Sequence, residues 1–147
     1  MFKHILVPVD GSTHAQQAVA RAIALAKAFK SEVTAIYVID PYPFTGVGTD
    51  FAYGQAQYLS AATAEANAAI RETREAFEAA GLPVHTSVVE GHVIARGILQ
   101  SAADTGADLI VMGSHGRRGL EKLLLGSVAQ RVVSQSPVAV MVVRNGD

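Results

Sequence analysis

Short apolar runs alternate with helical segments along the whole chain. The runs are rich in Val, Ile and Leu, which is typical of parallel strands covered on both faces. The alternation predicts an α/β fold, a doubly wound five-stranded parallel sheet with right-handed crossovers and helices on both faces. The predicted strands cover 5–9, 32–39, 84–89, 108–112 and 138–143, and the predicted helices cover 14–29, 57–80, 93–105 and 127–134.

The size and composition of the chain exclude several classes of protein. Its 147 residues fit one domain, 1–147, with no linker to a second. Twelve basic residues nearly balance thirteen acidic ones, so charge favours neither nucleic acid nor an anionic membrane. Cysteine is absent, and no leader segment or apolar run of about 18 residues is visible. We therefore expect a cytoplasmic protein without disulfides or a membrane span.

A glycine-bearing loop follows the fourth predicted strand. Two residues separate Gly113 from Gly116, and nine further residues lead to the pair Gly126-Ser127 at the start of a predicted helix. Glycine lets backbone N–H groups approach an anion closely, and a helix N-terminus adds a partial positive charge. Three basic residues of the loop face a single acidic one, Glu121. The pattern predicts a site for a polyphosphate.

This spacing closely resembles the nucleotide signature of the universal stress protein family, in its ATP-binding branch. Other segments are similar to the same family: 2–12 to its opening strand and turn, 37–40 to the end of its second strand, and 136–143 to its closing strand. The resemblance implies the strand order 3-2-1-4-5. That order places strands 1 and 4 side by side at the switch point, where sheets of this kind bind ligands.

The resemblance also implies a pocket for ATP, with Mg²⁺ as its companion ion. Val38 would contact the adenine through its backbone, and Pro8, Val9 and Met112 would form apolar walls. Backbone N–H groups of the glycine loop would hold phosphate oxygens, while Ser127 would add a hydroxyl donor, cap its helix, or do both. The expected nucleotide-binding residues are Pro8, Val9, Asp10, Val38, Met112, Gly113, His115, Gly116, Gly126, Ser127 and Val128.

Asp10 ends the first predicted strand, beside Gly11. A carboxylate there would repel bare phosphates, so it suits ribose hydroxyls or a Mg²⁺ ion that bridges the phosphates. The resemblance implies contact with the ribose and phosphate side of the nucleotide. The alternative is a turn residue in an Asp-Gly pair.

Residues 41–56 fit no helix or strand pattern, since they combine four aromatics, two prolines and three glycines. This composition predicts a long loop. This loop is either a tolerated insertion or a lid beside the nucleotide site.

Several enzyme signatures are missing from the chain. No P-loop motif, dinucleotide fingerprint or Gly-x-Ser-x-Gly elbow is present, and the histidines lack the spacing of metal ligands. These absences favour at most slow ATP hydrolysis, and the family resemblance implies a nucleotide-dependent regulatory or stress-survival module. The alternatives are an adenylating or phosphotransferring enzyme and a binder of AMP or a cyclic nucleotide.

The last predicted strand, 138–143, is apolar and would lie at the edge of the sheet. An exposed apolar edge invites pairing with another chain, and a two-fold axis would close both edges at once. We expect a homodimer through this strand, as the resemblance also implies. The alternative is a monomer whose own loops cover the edge.

Overall fold

The computed structural model describes residues 1–41, 49–115 and 125–144, with only the backbone described for 49–53. Strands and helices alternate in the predicted order. The elements are β1 (His4–Pro8), α1 (Thr13–Phe29), β2 (Glu32–Ile39), α2 (Thr49–Ala79), β3 (His85–Glu90), α3 (Ile94–Thr105), β4 (Leu109–Gly113), α4 (Ser127–Gln135) and β5 (Ala139–Val143). All strand pairs are parallel and the order is β3-β2-β1-β4-β5. The predicted fold class and strand order are confirmed.

The sheet is buried on both faces by two separate apolar layers. Successive residues of a strand point to opposite faces. In β1, Ile5 and Val7 therefore join the layer under α1 and α2, whereas Leu6 joins the layer under α3 and α4. Phe77 of α2 is the largest fully buried side chain of the first layer. The central strands read as unbroken apolar runs because both of their faces are covered.

Helix α2 corrects the prediction for residues 41–56. The helix begins at Thr49, although the sequence pattern predicted an irregular loop up to residue 56 and a helix from 57. Gln55 lies in its second turn, and its Nε2 donates to the carbonyl oxygen of Pro41 at 2.8 Å, which ties the helix start to the end of β2. Good helix formers such as Ala52 and Ala56 favour this start over the nearby aromatics and Gly54. Residues 42–48, which include the rest of the proposed lid, lie outside the described residues.

The starts of α1 and α4 are capped differently. Ser12 caps α1, because its Oγ accepts a hydrogen bond from the N–H of Ala15 at 3.1 Å. The predicted cap of α4 was Ser127, but Gly126 holds the N-cap position and Ser127 is the first helical residue. The N–H of Gly126 donates to the carbonyl oxygen of Ser114 at 2.7 Å. That bond sets where α4 begins, so the serine falls one residue too late to cap it.

Candidate functional site

The carboxyl ends of β1 and β4 lie side by side in the middle of the sheet. Ile5 is paired with Leu109, and Leu6 with Ile110. From this point β2 and β3 extend to one side and β5 to the other. The strand order therefore reverses between β1 and β4, which is where doubly wound sheets bind ligands. The structure brings together here the predicted residues at the ends of these two strands: Pro8, Val9, Asp10, Met112 and Gly113.

Val38 reaches this junction from β2, because β2 runs further than β1. The last described hydrogen bond between the two strands joins the N–H of Val9 to the carbonyl oxygen of Ile36, at 2.8 Å. On the other side of β2, the N–H of Gly91 donates to the carbonyl oxygen of Ile39. Backbone groups of a strand alternate between its two sides. The N–H and C=O of Val38 therefore point toward the side of β1, beyond the residue at which β1 ends.

The apolar residues of the junction are closely packed. Val9, Val38 and Met112 are 7%, 7% and 5% exposed, while Pro8 is half-buried. The side chains of Val38 and Met112 belong to the layer under α3 and α4, whereas Val9 belongs to the opposite layer. The junction is therefore lined by packed apolar side chains on both faces of the sheet. The polar contacts of a ligand would come from backbone groups and from polar side chains near the strand ends, such as Asp10.

Asp10 organises the turn that joins β1 to α1. Its Oδ1 accepts a hydrogen bond from the N–H of Ser12 at 3.0 Å. Gly11 between them has φ +81°, a conformation that glycine adopts without strain. The turn role that the sequence left as an alternative is therefore present. It does not exclude a ligand role, since a carboxylate has two oxygens and several lone pairs.

Gly113 lies where the first turn of α1 presses on the end of β4. A Cβ built at Gly113 would lie 2.8 Å from Cβ of His14 and 2.9 Å from the carbonyl carbon and oxygen of His14. These atoms belong to the backbone of His14 or are bonded directly to it, so they cannot move aside. A side chain at position 113 would therefore push α1 away from β4. Sequence reasoning linked this glycine to phosphates alone and missed its packing role.

Gly126 makes a second close approach, between the start of α4 and the end of β4. A Cβ built there would lie 3.3 Å from the carbonyl oxygen of Ser114 and 3.3 Å from Cα of His115. This contact holds the N-terminus of α4 against the end of β4. Ser127 is exposed and Val128 half-buried in the first turn of that helix. Gly116 lies outside the described residues, so its predicted role stays a prediction.

A polar cluster that sequence reasoning missed occupies the same end of the sheet. Ser114 is 2% exposed, and its Oγ lies 3.2 Å from Nδ1 of His115 and 3.5 Å from Nδ1 of His14. The two imidazole rings have centroids 5.4 Å apart and are tilted by 58°. His14 follows strand 1 and Ser114 follows strand 4. The implied strand order places strands 1 and 4 side by side, and this could have predicted that His14 and Ser114 lie close together.

Metal clusters and membrane-spanning helices are both absent from the described part of the chain. No three His, Asp or Glu side chains within 1–41, 49–115 and 125–144 converge where a metal ion could be held. None of the helices described is long and apolar enough to cross a membrane.

The geometry thus defines a doubly wound α/β protein with a candidate ligand site at its switch point, built from strand ends, a glycine-bounded helix start and one carboxylate. The chain belongs to the universal stress protein family, whose family model matches residues 1–144. It is 40% identical over 144 residues to universal stress protein MJ0531 of Methanocaldococcus jannaschii, covering 98% of this chain and 83% of that protein. The resemblance to this family is therefore confirmed.

Solved structures agree with this membership. The structure of a universal stress protein UspA from Lactobacillus plantarum matches with a TM-score of 0.86 and 28% identity, over 97% of each chain. A universal stress protein in complex with cAMP matches with a TM-score of 0.71 and 25% identity, over 99% of this chain and 98% of that one.

Proposed function

We propose that this protein is a single-domain module, spanning 1–147, that binds an adenine nucleotide at the junction of β1, β2 and β4. ATP with Mg²⁺ is the proposed ligand, and a cytoplasmic regulatory or stress-survival role is the proposed use. The observation that carries the proposal is that three features share the carboxyl-end edge of the sheet: the backbone of Val38 beyond the end of β1, the carboxylate of Asp10, and the N-terminus of α4. Membership of the universal stress protein family and the relative solved with cAMP support it.

The adenine would lie against β2. A main-chain N–H and C=O at Val38 offer one donor and one acceptor, which match the donor and acceptor on the edge of adenine. Val9 and Met112 supply buried apolar surface beside it, and Pro8 supplies a partly exposed wall. This mode of recognition needs no special side chain.

Asp10 would accept hydrogen bonds from the ribose hydroxyls. It already holds the N–H of Ser12 through Oδ1, so the turn fixes the direction of the carboxylate before a ligand arrives. A Mg²⁺ ion carried by ATP is the alternative partner, because hard cations prefer carboxylate oxygens.

The phosphates would lie at the start of α4. Nine residues long, this helix begins at Ser127, and its first N–H groups lack partners within the helix. Anions at such an end are stabilised by these donors and by the helix dipole. Gly113, His115, Gly116, Gly126 and Val128 would complete the phosphate-binding backbone. Hydrolysis would be slow at most, since the sequence shows no P-loop motif and no other ATPase signature.

Isothermal titration with ATP, adenosine, AMP and cAMP tests the proposal. Asp10→Ala should weaken ATP and adenosine alike if the carboxylate holds ribose, by about 10–100-fold for a charge-assisted hydrogen bond. If the carboxylate serves Mg²⁺, only ATP in the presence of Mg²⁺ should weaken, and EDTA should abolish the difference. Ser12→Ala is the control for a disturbed start of α1, because it removes the helix cap two residues away and keeps the carboxylate. Wild-type protein that binds none of the four compounds at millimolar concentration would overturn the proposal.

A cyclic nucleotide is the second candidate ligand, favoured by the relative solved in complex with cAMP. The adenosine half would be held in the same way, so competition decides between them. Displacement of bound ATP by cAMP at a lower concentration than by AMP would make the cyclic nucleotide the preferred ligand. The reverse order would retain ATP as the proposed ligand.

We also propose a homodimer through strand 138–143. β5 is the last strand of the sheet, and Val140, Met141 and Val142 are half-buried in the single chain. The N–H of Ser114 donates to the carbonyl oxygen of Val143, so residue 143 faces β4. By alternation Val140 and Val142 turn their backbone groups outward, where a second copy can pair with them.

Val140→Pro tests the dimer, because it removes an outward N–H and leaves the ladder to β4 intact. Val88→Pro is the matched control on β3, the opposite edge, where the bond from Gly91 to Ile39 places the N–H of residue 88 outward as well. Light scattering should give a dimer for the wild type and the control and a monomer for Val140→Pro. A monomeric wild type at micromolar concentration would rule the dimer out.

A further inference from the structure

We propose that His14 is a positioning residue of the nucleotide site, which acts through Ser114 to aim Nε2 of His115 at the phosphate chain. The inference rests on the proposed function and adds a residue to it. Nothing in the glycine-loop spacing points to His14, which lies on α1, about 100 residues away in sequence.

The hydroxyl of Ser114 links the two imidazoles. Its Oγ lies 3.2 Å from Nδ1 of His115 and 3.5 Å from Nδ1 of His14. A hydroxyl has one proton to donate, and it accepts at its lone pairs. If Nδ1 of His14 donates to Oγ, the hydroxyl proton goes to Nδ1 of His115. A neutral His115 then carries its own proton on Nε2, so its tautomer depends on His14.

The far nitrogen of His115 calls for a partner. Nε2 is buried, and the structure gives it no hydrogen bond among the described residues. Buried polar atoms are almost always paired, and leaving one unpaired costs about 1–3 kcal/mol in general. The edge of the ring next to this nitrogen faces the start of α4, since a Cβ built at Gly126 would lie 3.7 Å from Cδ2 of His115. A phosphoryl oxygen at that helix end can accept from Nε2 and from helix N–H groups together.

The position of His14 is fixed by the packing of α1 against β4 as well as by its contact with Ser114. The first turn of α1 is capped by Ser12 and pressed against Gly113, whose missing Cβ leaves room for Cβ of His14. The imidazole therefore starts from a fixed point beside Ser114. His14→Ala keeps that Cβ and the backbone contact, so it removes the imidazole with little disturbance of the helix.

Titration of His14→Ala with ATP and with adenosine tests the inference. Loss of one oriented hydrogen bond should weaken ATP by about tenfold and leave adenosine within about twofold. His14→Asn should recover most of the loss, because its amide has a donor and an acceptor near the place of Nδ1. His85→Ala is the control, since His85 is exposed at the amino end of β3, the opposite end of the sheet.

Nitrogen chemical shifts of the histidine rings give a second readout that a purely structural role would not move. In wild-type protein with ATP, His115 should be the tautomer protonated at Nε2, and His14→Ala should change its Nδ1 and Nε2 shifts while the backbone spectrum stays folded. Unchanged ATP affinity in His14→Ala, or equal loss for ATP and adenosine, would overturn the positioning role alone. Wild-type protein that binds neither compound would overturn the proposed function, and with it this inference.

Discussion

Two helical glycines should respond in opposite ways to the same substitution. Gly97 lies in α3, where a built Cβ would be 2.9 Å from Cγ1 of Val38 and 3.3 Å from Cγ2. Carbon atoms in relaxed contact lie about 3.5–4.0 Å apart, so Gly97→Ala demands a shift of roughly 0.6–1 Å. Valine cannot easily turn away, because its χ1 is stiff. Gly54 lies in α2, and a Cβ there would meet nothing within 4 Å.

Whether each substitution stabilises or destabilises the protein depends on the size of two opposing effects. Overpacking costs about 1–3 kcal/mol, whereas replacing a helical glycine with alanine gains about 0.5–1 kcal/mol. Gly97→Ala should therefore destabilise the protein by about 0.5–2 kcal/mol. Gly54→Ala has only the gain, so it should stabilise by about 0.5–1 kcal/mol.

Urea unfolding at a fixed protein concentration measures both free energies, with equal m-values as the sign that both variants unfold alike. Adding Val38→Ala to Gly97→Ala removes the two crowded methyl groups. The double variant should therefore be more stable than the sum of the two single changes, by roughly the 1–3 kcal/mol of overpacking. A Gly97→Ala protein as stable as Gly54→Ala, or strict additivity in the cycle, would refute the close contact between α3 and β2.

Three further substitutions follow from single contacts, and each is measured by urea unfolding. Ser12→Ala should lower the free energy of unfolding by about 1 kcal/mol, because the N–H of Ala15 loses its hydrogen-bond acceptor. Ser134→Ala, late in α4, is the control and should lower it by less. Equal losses would contradict the capping role of Ser12. Phe77→Ala should cost about 3–5 kcal/mol because Phe77 is fully buried, and a loss below about 1 kcal/mol would contradict its place in the core. Slight burial raises the pKa of the Asp108 carboxyl, but the backbone N–H groups of Lys3 and His4 lower that pKa by more, so it lies below its ordinary 3.8. The ionised Asp108 carboxylate stabilises the folded state above pH 3.8, and this stabilisation is lost as pH falls through the folded-state pKa. The difference in unfolding free energy between wild type and Asp108→Asn should therefore become smaller in acid. A difference that does not change with pH would contradict this.

The fold class and the strand order were both predictable from the sequence, but on different grounds. Strands buried on both faces must be apolar throughout, so β2 and β4 stand out as runs. The order came from the family resemblance, since apolar periodicity says nothing about which strands are neighbours. The start of α2 was missed because aromatics and Gly54 outweighed the helix formers around them. The hydrogen bond from Gln55 to Pro41 that ties the helix start to β2 is a tertiary contact that no local pattern encodes.

The candidate site shows the same division. The glycines were proposed from their spacing and Asp10 from its place at the end of the first strand, whereas His14 became visible only when the sheet placed the ends of β1 and β4 together. Ser127 was expected to cap α4, but the bond from Gly126 to Ser114 fixes the helix start one residue earlier than the preference for serine caps suggests. A local preference was overruled by a contact between distant segments.

Gly113 and Gly126, two glycines of the nucleotide signature, are needed for packing whether or not a ligand is bound. At Gly113 a side chain would strike the backbone of α1, and at Gly126 it would crowd the end of β4, whether or not a phosphate is bound. A valine at either position would disturb the packing of a helix against the sheet, so lost ATP affinity in such a variant would not prove a phosphate contact. Truncating Asp10 or His14 leaves these backbone approaches in place, although Asp10→Ala also removes the hydrogen bond to the N–H of Ser12. The proposed nucleotide site therefore depends for its test on these two side chains rather than on the glycines that first revealed it.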